Sequence, residues 1–543
     1  MLKKSQIDKI IPILQKEAKR ALTMKLRGFP KPYYCSFLLR DTNWFNTWAS
    51  NGSLYKRKSD KNRNVYCDLR VGSYRYDQVS DGGLLDNDKE EHSYENVSMP
   101  IDDKDYEGLQ IAIWKLLEEK FKEALSDYNL KEAARVSTID TTREFNSFSK
   151  LPSKTYIKYQ KADTVDESYW VNFCKKASKW ISTLSGLTSS YVDFDTNQET
   201  KVFVSTENRV IVEHYQTYSL MVGLIKLTKE GVQLNQELVI NTGSQKELPS
   251  FDDFKTQVLK KHSQLMNLSK AKKIHSFSGP VLLSPKASGV LFHEAIGHRL
   301  EGSRLLSTGE GQTFKGQIGK KILELPITIH DNPKLKKFNG EFCIGAYDFD
   351  DEGTEAKDAM LIENGILKDF LSTRSAFKKK DFVPNGHARN KKFQRPISRM
   401  AVTIVESNCG VSFDELKKKL IEEIKKQKKK FGMIVYETSG GETDTSSYDF
   451  QAFAGAISYA TLVYPNGREE PIRGVDFVGT PLQALSNIIA VGNTLYKDNS
   501  YCGAESGYVP ITTISPAILL KNLELQTKEE ELITQFILKS PVA

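Results

Sequence analysis

His293, Glu294 and His298 stand out as residues close together in the chain whose types could act together on a substrate. They lie in GPVLLSPKASGVLFHEAIGHRLEGSR, residues 279–304, and read H-E-x-x-x-H. Two imidazoles can share a zinc ion, and a carboxylate beside the first can take a proton from an attacking water. The spacing is awkward for this. At about 100° per residue, positions i and i+5 of a regular helix point about 140° apart, so an ideal helix would not chelate. Convergence predicts an irregularity between Ala295 and His298, a π-bulge or a loosening of the helix, with Gly297 supplying the freedom. The plainer alternative is a core and a surface histidine on opposite sides of a packing helix, with Glu294 solvated. Spacing by itself does not choose between the two.

A catalytic zinc needs a third protein ligand and an open position. Glu301, Cys343, His387 and Cys502 are all candidates. Cys502 lies in DNSYCGAESGYVP, which reads as a polar, glycine-rich loop, whereas Cys343 and Cys174 read as buried. A lone cysteine is more often a small buried hydrophobe than a ligand. His92, His214, His262, His275 and His330 stand singly without ligand-like neighbours.

The elements that must position the triple are legible. Val281–Leu283 reads as a short buried strand, Ser284 as a helix N-cap and Pro285 as the first helical residue. Upstream, the pattern predicts an amphipathic helix over the first 30 residues, a meander of antiparallel strands from Tyr33 to about Val79, and an acidic loop over 81–103. Helices from about Tyr106 to Ala134 and Ser168 to Leu184 follow, then strands over 189–243, then a charged helix to Lys273. Beyond about 275, glycine-punctuated strands dominate. The fold class is therefore α+β: an N-terminal part, 1–275, with antiparallel strands and packed helices, and a C-terminal, mostly antiparallel β part, 276–543, carrying the motif helix.

Composition excludes several classes. With 543 residues, 39% of them hydrophobic, the chain can close a large core. No apolar run reaches the roughly 18 residues of a membrane span, so neither membrane anchor nor signal peptide is expected. Six scattered cysteines without a C-x-x-C predict reduced thiols and a cytoplasmic protein. The net charge of +8 could suit nucleic acid, but its longest basic run, SFDELKKKLIEEIKKQKKKFG, has helix spacing, a Ser412/Glu415 capping pattern and an end at Gly432. A solvated helix face explains it. No P-loop, G-x-S-x-G or G-x-G-x-x-G is present.

FHEAIGHRLEG (292–302) resembles the signature of the TldD/PmbA family, the zinc peptidases of the older "modulator of DNA gyrase" label. DFDDEGTEAKDAMLIENGILKDFLSTRSA (348–376), NGHARNKKFQRPISRM (385–400), SGGETDTSSYDFQAFAGAISY and YCGAESGYVP are similar to its further motifs, in order. Here Pro384 replaces a usual glycine, and His387-Ala388 separates Gly386 from Arg389. The resemblance implies that His293 and His298 are metal ligands, Cys502 the third, and Glu294 the catalytic glutamate of the TldD-type branch. It also implies Zn²⁺ as cofactor, a dimer with itself or with a degenerate family member, and an enclosed site that admits unfolded polypeptide or short peptides. A zinc-dependent peptidase is thus expected, without nucleic-acid or membrane partners. The rival is a non-catalytic member that keeps zinc while binding a peptide or partner.

Overall fold

The computed structural model describes residues 1–80, 99–101, 104, 106–137, 145–160, 163–307, 309–378, 382–391, 394–446, 452–528, 530 and 532–534. Most of the acidic 81–103 stretch, with His92, lies outside the described residues.

The N-terminal part is built on one sheet of very long strands. Helix α1 (Lys4–Ala21) precedes β1 (Pro32–Ser50) and β2 (Ser53–Val71), and α2 (Glu107–Ser137) precedes β3 (Lys154–Ile157) and α3 (Glu167–Ile181). Then come β4 (Ser189–Ser205), β5 (Arg209–Leu227), β6 (Gln233–Thr242) and α4 (Phe251–Leu268). The strand order is β2-β1-β4-β5-β3, with β6 also on β5. The region expected as a meander is a single hairpin of two 19-residue strands, turning at Asn51 and Gly52, both in the left-handed region. Its charged clusters are the exposed half of β2, not turns.

Strand parity separates two surfaces of this sheet. Phe37, Phe45, Val192, Phe194, Val202, Leu220 and Val222 pack into two apolar clusters with α1 and α2 toward one end and α3 and α4 toward the other. Arg40, Lys201 and Arg209 instead reach the C-terminal part, at Asp351, Asn390 and the Gly353 carbonyl. The sheet is thereby a wall between helices and the second half of the chain.

That half is a twelve-stranded sheet. Its central path comprises β7 (Phe277–Leu283), β8 (Ile327–Asp331), β9 (Ala359–Glu363), β10 (Val402–Ser407), β11 (Gly432–Thr443), β12 (Phe453–Val463) and β14 (Gly507–Thr527) in the order β9-β8-β10-β14-β7-β11-β12, and β13 (Ile488–Ala504) pairs β14. Most pairs are antiparallel, but β10–β14 and β7–β11 are parallel. Two helices cover opposite faces of the middle strands, again by parity. Val281, Leu283, Met433, Val435, Ile518 and Leu520 face α5 (Pro285–Ala295), while Leu282, Ile434 and Leu519 face Leu416, Leu420 and Ile424 of α6 (Phe413–Lys426). The lysine-rich run is thus a half-buried helix, capped by Ser412 Oγ accepting from Glu415 N–H. It stops at Lys426, with Lys428 in the left-handed region, and Gly432 instead opens β11. Among the described residues no helix is long and apolar enough to cross a membrane.

Candidate metal centre

Strand β7 delivers the chain to α5 through Ser284, whose hydroxyl accepts from Ala287 N–H and donates to the Tyr436 carbonyl of β11. The helix starts where sequence chemistry placed it, with Pro285 first. It ends at Ala295. Ile296 takes φ −116°, ψ −52°, and a 3₁₀ turn spans Gly297–Leu300. The expected irregularity is present, as a switch to a tighter helix instead of a π-bulge or a loosened one. Gly297 is needed for another reason than backbone freedom: a Cβ there would lie 2.1 Å from Sδ of Met400, which is itself buried. Gly297→Ala is therefore expected to destabilise the protein by about 1–3 kcal/mol through overpacking, measured as a shift in denaturant midpoint at constant slope. An unchanged midpoint would refute that account.

The switch brings the imidazoles together, their rings 4.8 Å apart between centroids. Both meet Cys502, with Sγ 3.3 Å from His293 Nε2 and 3.4 Å from His298 Nε2. Cys502 is in β13, opposite Val509 of β14, and only the next few residues turn; the loop expected there is a strand ending in a tight hairpin. All three side chains are buried. For ligands bonded at about 2.0–2.1 Å (N) and 2.3 Å (S), tetrahedral geometry puts donor atoms about 3.5 Å apart. The two N–S distances suit that spacing, and two imidazoles plus a thiolate are a donor set that zinc accepts.

The other candidates lie elsewhere or serve another purpose. Cys343 packs with Val402, Ile404 and Ile514, and His387 is enclosed beside Asp331 and Asn385. Glu301 comes to the site without joining the sulfur: its Oε2 is 3.2 Å from His298 Nδ1, leaving Nε2 to face Cys502. In a 3₁₀ turn positions i and i+3 eclipse, which stacks Glu301 over His298. Such a carboxylate fixes the ring and its tautomer. Arg304 binds the same Oε2 at 2.9 Å and anchors to Glu505 in the Cys502 hairpin. Sequence reasoning weighed Glu301 only as a ligand and missed Arg304 and Arg399; the 298–301 spacing signals Glu301 once the turn type is known.

Electrostatics follow from this crowding. Burial pushes the Cys502 thiol up, but His298 and His293 beside it more than reverse this and hold it well below the usual thiol range. Burial disfavours charge on His298, yet Glu301 and Cys502 carry it up to about 10. Against its own burial, Glu301 is brought down to about 2 by His298 and Arg304. Glu294 is raised, mainly by burial, with the two histidines opposing.

A cavity of about 830 Å³ opens over these groups, lined by His293, Glu294, His298 and Cys502. The Glu294 carboxylate is 3.9 Å from His298 Nε2 and lines the same cavity. Gly441 of β11 crosses closely: a Cβ there would be 2.8 Å from Glu294 Cγ.

Comparison with known proteins bears on the same half of the chain. Residues 276–527 match the family model described as the PmbA/TldA metallopeptidase C-terminal domain. A metalloprotease of Methanothermobacter thermautotrophicus is 27% identical over 342 residues, covering 63% of this chain and 70% of that protein. A zinc metalloprotease TldD homolog of Saccharolobus solfataricus is 26% identical over 386 residues, covering 69% and 80%. The chain spans about half the length of three further curated metalloproteases that it matches. The fold is shared with TldE from Thermococcus kodakarensis, at a TM-score of 0.60 and 13% identity, over 96% of this chain and 99% of that one. Residues 276–527 of this chain are thus a C-terminal domain of the PmbA/TldD type, and the whole chain shares the fold of TldE.

Proposed function

We propose that the protein is a zinc-dependent peptidase in which His293, His298 and Cys502 hold the ion and Glu294 is the general base. The observation that carries this reading is the meeting of three donor side chains from two distant segments, with a fourth, unligated carboxylate in the same cavity. Bound zinc would polarise the scissile carbonyl and make the attacking water more acidic. Glu294 takes a proton from that water at its carboxylate and returns it to the leaving amine nitrogen. Its burial suits the first step, because a raised carboxyl is the stronger base as carboxylate, and it keeps the proton in place until the amine nitrogen takes it. Glu301 holds His298 in place, and Arg299, which donates to the Glu294 carbonyl at 2.7 Å, ties the end of α5 to β11 through Thr443.

Peptide is the substrate that the cavity walls suit. Strand β11 is paired with β12 along its length, but on its other side β7 covers only Met433–Val435. From Glu437 to Thr443 that edge has no strand neighbour among the described residues and lines the cavity beside Glu294. An extended peptide can add there through main-chain hydrogen bonds, which favours unfolded or short chains over folded ones. Dimerisation with a copy or a family partner would complete the enclosure.

Removing zinc with a chelator is expected to abolish cleavage of an unstructured peptide, and stoichiometric zinc to restore it. Zinc content is measured in parallel by atomic spectroscopy. Cleavage that persists in metal-free protein would end this reading, whereas stable zinc without any cleavage would favour the non-catalytic alternative.

A further inference from the structure

Arg399, like Arg304, spans the two halves of the site, but it does so at the sulfur itself. Its side chain has no exposed surface, and a guanidinium cannot shed its charge, so its partners must supply the compensation. Nη2 donates to Cys502 Sγ at 3.2 Å and to the Cys502 carbonyl at 2.7 Å. Nη1 donates to Ser506 Oγ and to the Gly507 carbonyl, both at 2.9 Å. Nε faces Glu301 Oε1 at 3.7 Å, and neither atom has a hydrogen-bond partner. Arg304 has three carboxylates within reach, Glu301, Glu310 and Glu505, whereas among the described residues Arg399 has only the long contact to Glu301. Its nearest candidate for a balancing charge is the sulfur.

The segment carrying Arg399 is fixed to the segment carrying Glu301. Ser303 and Ser398 exchange backbone and hydroxyl hydrogen bonds of 2.9–3.0 Å, one residue from Arg399 and two from Glu301. The guanidinium is therefore preorganised against both the hairpin and the 3₁₀ turn.

Resting on the metal-centre reading above, we propose that Arg399 is a positioning residue of that centre. It fixes Cys502 Sγ as an acceptor aimed at both imidazoles, withdraws electron density from the sulfur, and through Glu301 ties the placement of Cys502 to that of His298. Hydrogen bonds to a ligating sulfur and to supporting carboxylates tune a metal in this way. A mere clamp on the hairpin would hold Cys502 without affecting how strongly it donates.

The test is a Co²⁺ titration of the metal-free, full-length protein, read by the sulfur-to-cobalt charge-transfer band and by affinity. Arg399→Met is expected to move the band to longer wavelength, because the sulfur regains electron density, and to weaken binding by about 10–100-fold. Arg399→Lys, with one donor restored, should fall between. Ser506→Ala removes one of the two acceptors of Arg399 Nη1 and leaves Nη2 on the sulfur, so it should move band and affinity less than Arg399→Lys does. A band unmoved and an affinity within about twofold of wild type in Arg399→Met overturns the proposal and leaves a clamp. If that variant does not fold, Arg399→Lys is judged by the same criterion. A wild-type titration with no sulfur band would sink the metal-centre reading itself, a different result from an unmoved variant.

Discussion

Replacing Glu294 by Gln is expected to lower peptide cleavage by about 10²–10⁴-fold, the range for loss of a general base. Zinc should remain bound. The change is nearly isosteric, and the Glu294 side chain stands beside the trio instead of bridging it, 3.9 Å from His298 Nε2. The amide cannot take a proton from water, so the loss should appear in kcat more than in KM. The rate on the acid side is informative as well. Glu294 must be ionised to act, so activity should rise as pH increases through its titration; burial raises that limb, and the two histidines oppose the rise. Steady-state kinetics from pH 4 to 8, with zinc measured at each point, checks both statements. Wild-type rates in Glu294→Gln would remove the proposed base, whatever the metal does.

Cys502→Ser should weaken zinc binding by more than about 100-fold, the upper range for losing only a supporting partner of a ligand. A serine hydroxyl is a poorer metal donor, and the substitution also puts a neutral oxygen in place of the sulfur that accepts from Arg399 Nη2 and removes the negative partner of both imidazoles. The cavity should keep its shape, because Cys502 sits in a strand held by β14 and by Arg399 through its carbonyl. The wild type adds a pH signature. His298 is carried up to about 10 and must lose its proton to ligate, so apparent zinc affinity should climb about tenfold per pH unit below that value, with proton release on binding. Calorimetry in buffers of different ionisation enthalpy counts that proton. Zinc binding by Cys502→Ser as tight as wild type would remove the sulfur from the centre.

Local chemistry along the chain was enough for the elements around the site. The Val281–Leu283 strand, the Ser284 cap, Pro285 at the first helical position and the Ser412 cap of the lysine-rich helix all stand where residue type and period put them. These are contacts within a few residues, which sequence records directly. The long β1–β2 hairpin was misread as several strands because the exposed half of β2, rich in Lys, Arg and Asn, carries the same residues as a turn. Cys502 was misread for a similar reason, since the glycines and polar residues of DNSYCGAESGYVP serve a tight hairpin between two well-paired strands.

Covalent spacing alone puts a pair of histidines and a glutamate at one helix end, within about a turn of one another. Whether they converge is not a local matter. That depended on Ile296 leaving α5 for a 3₁₀ turn under the side chain of Met400, about a hundred residues away, and on a hairpin more than two hundred residues downstream bringing up its sulfur. Only the folded sheet supplies those neighbours: β14 runs between β10 and β7, so the hairpin it completes with β13 arrives over the helix that β7 launches. Arg399, Arg304 and Glu301 belong to the same class of fact. Each is an ordinary charged residue in the sequence, and burial against a particular partner is what gives it a role.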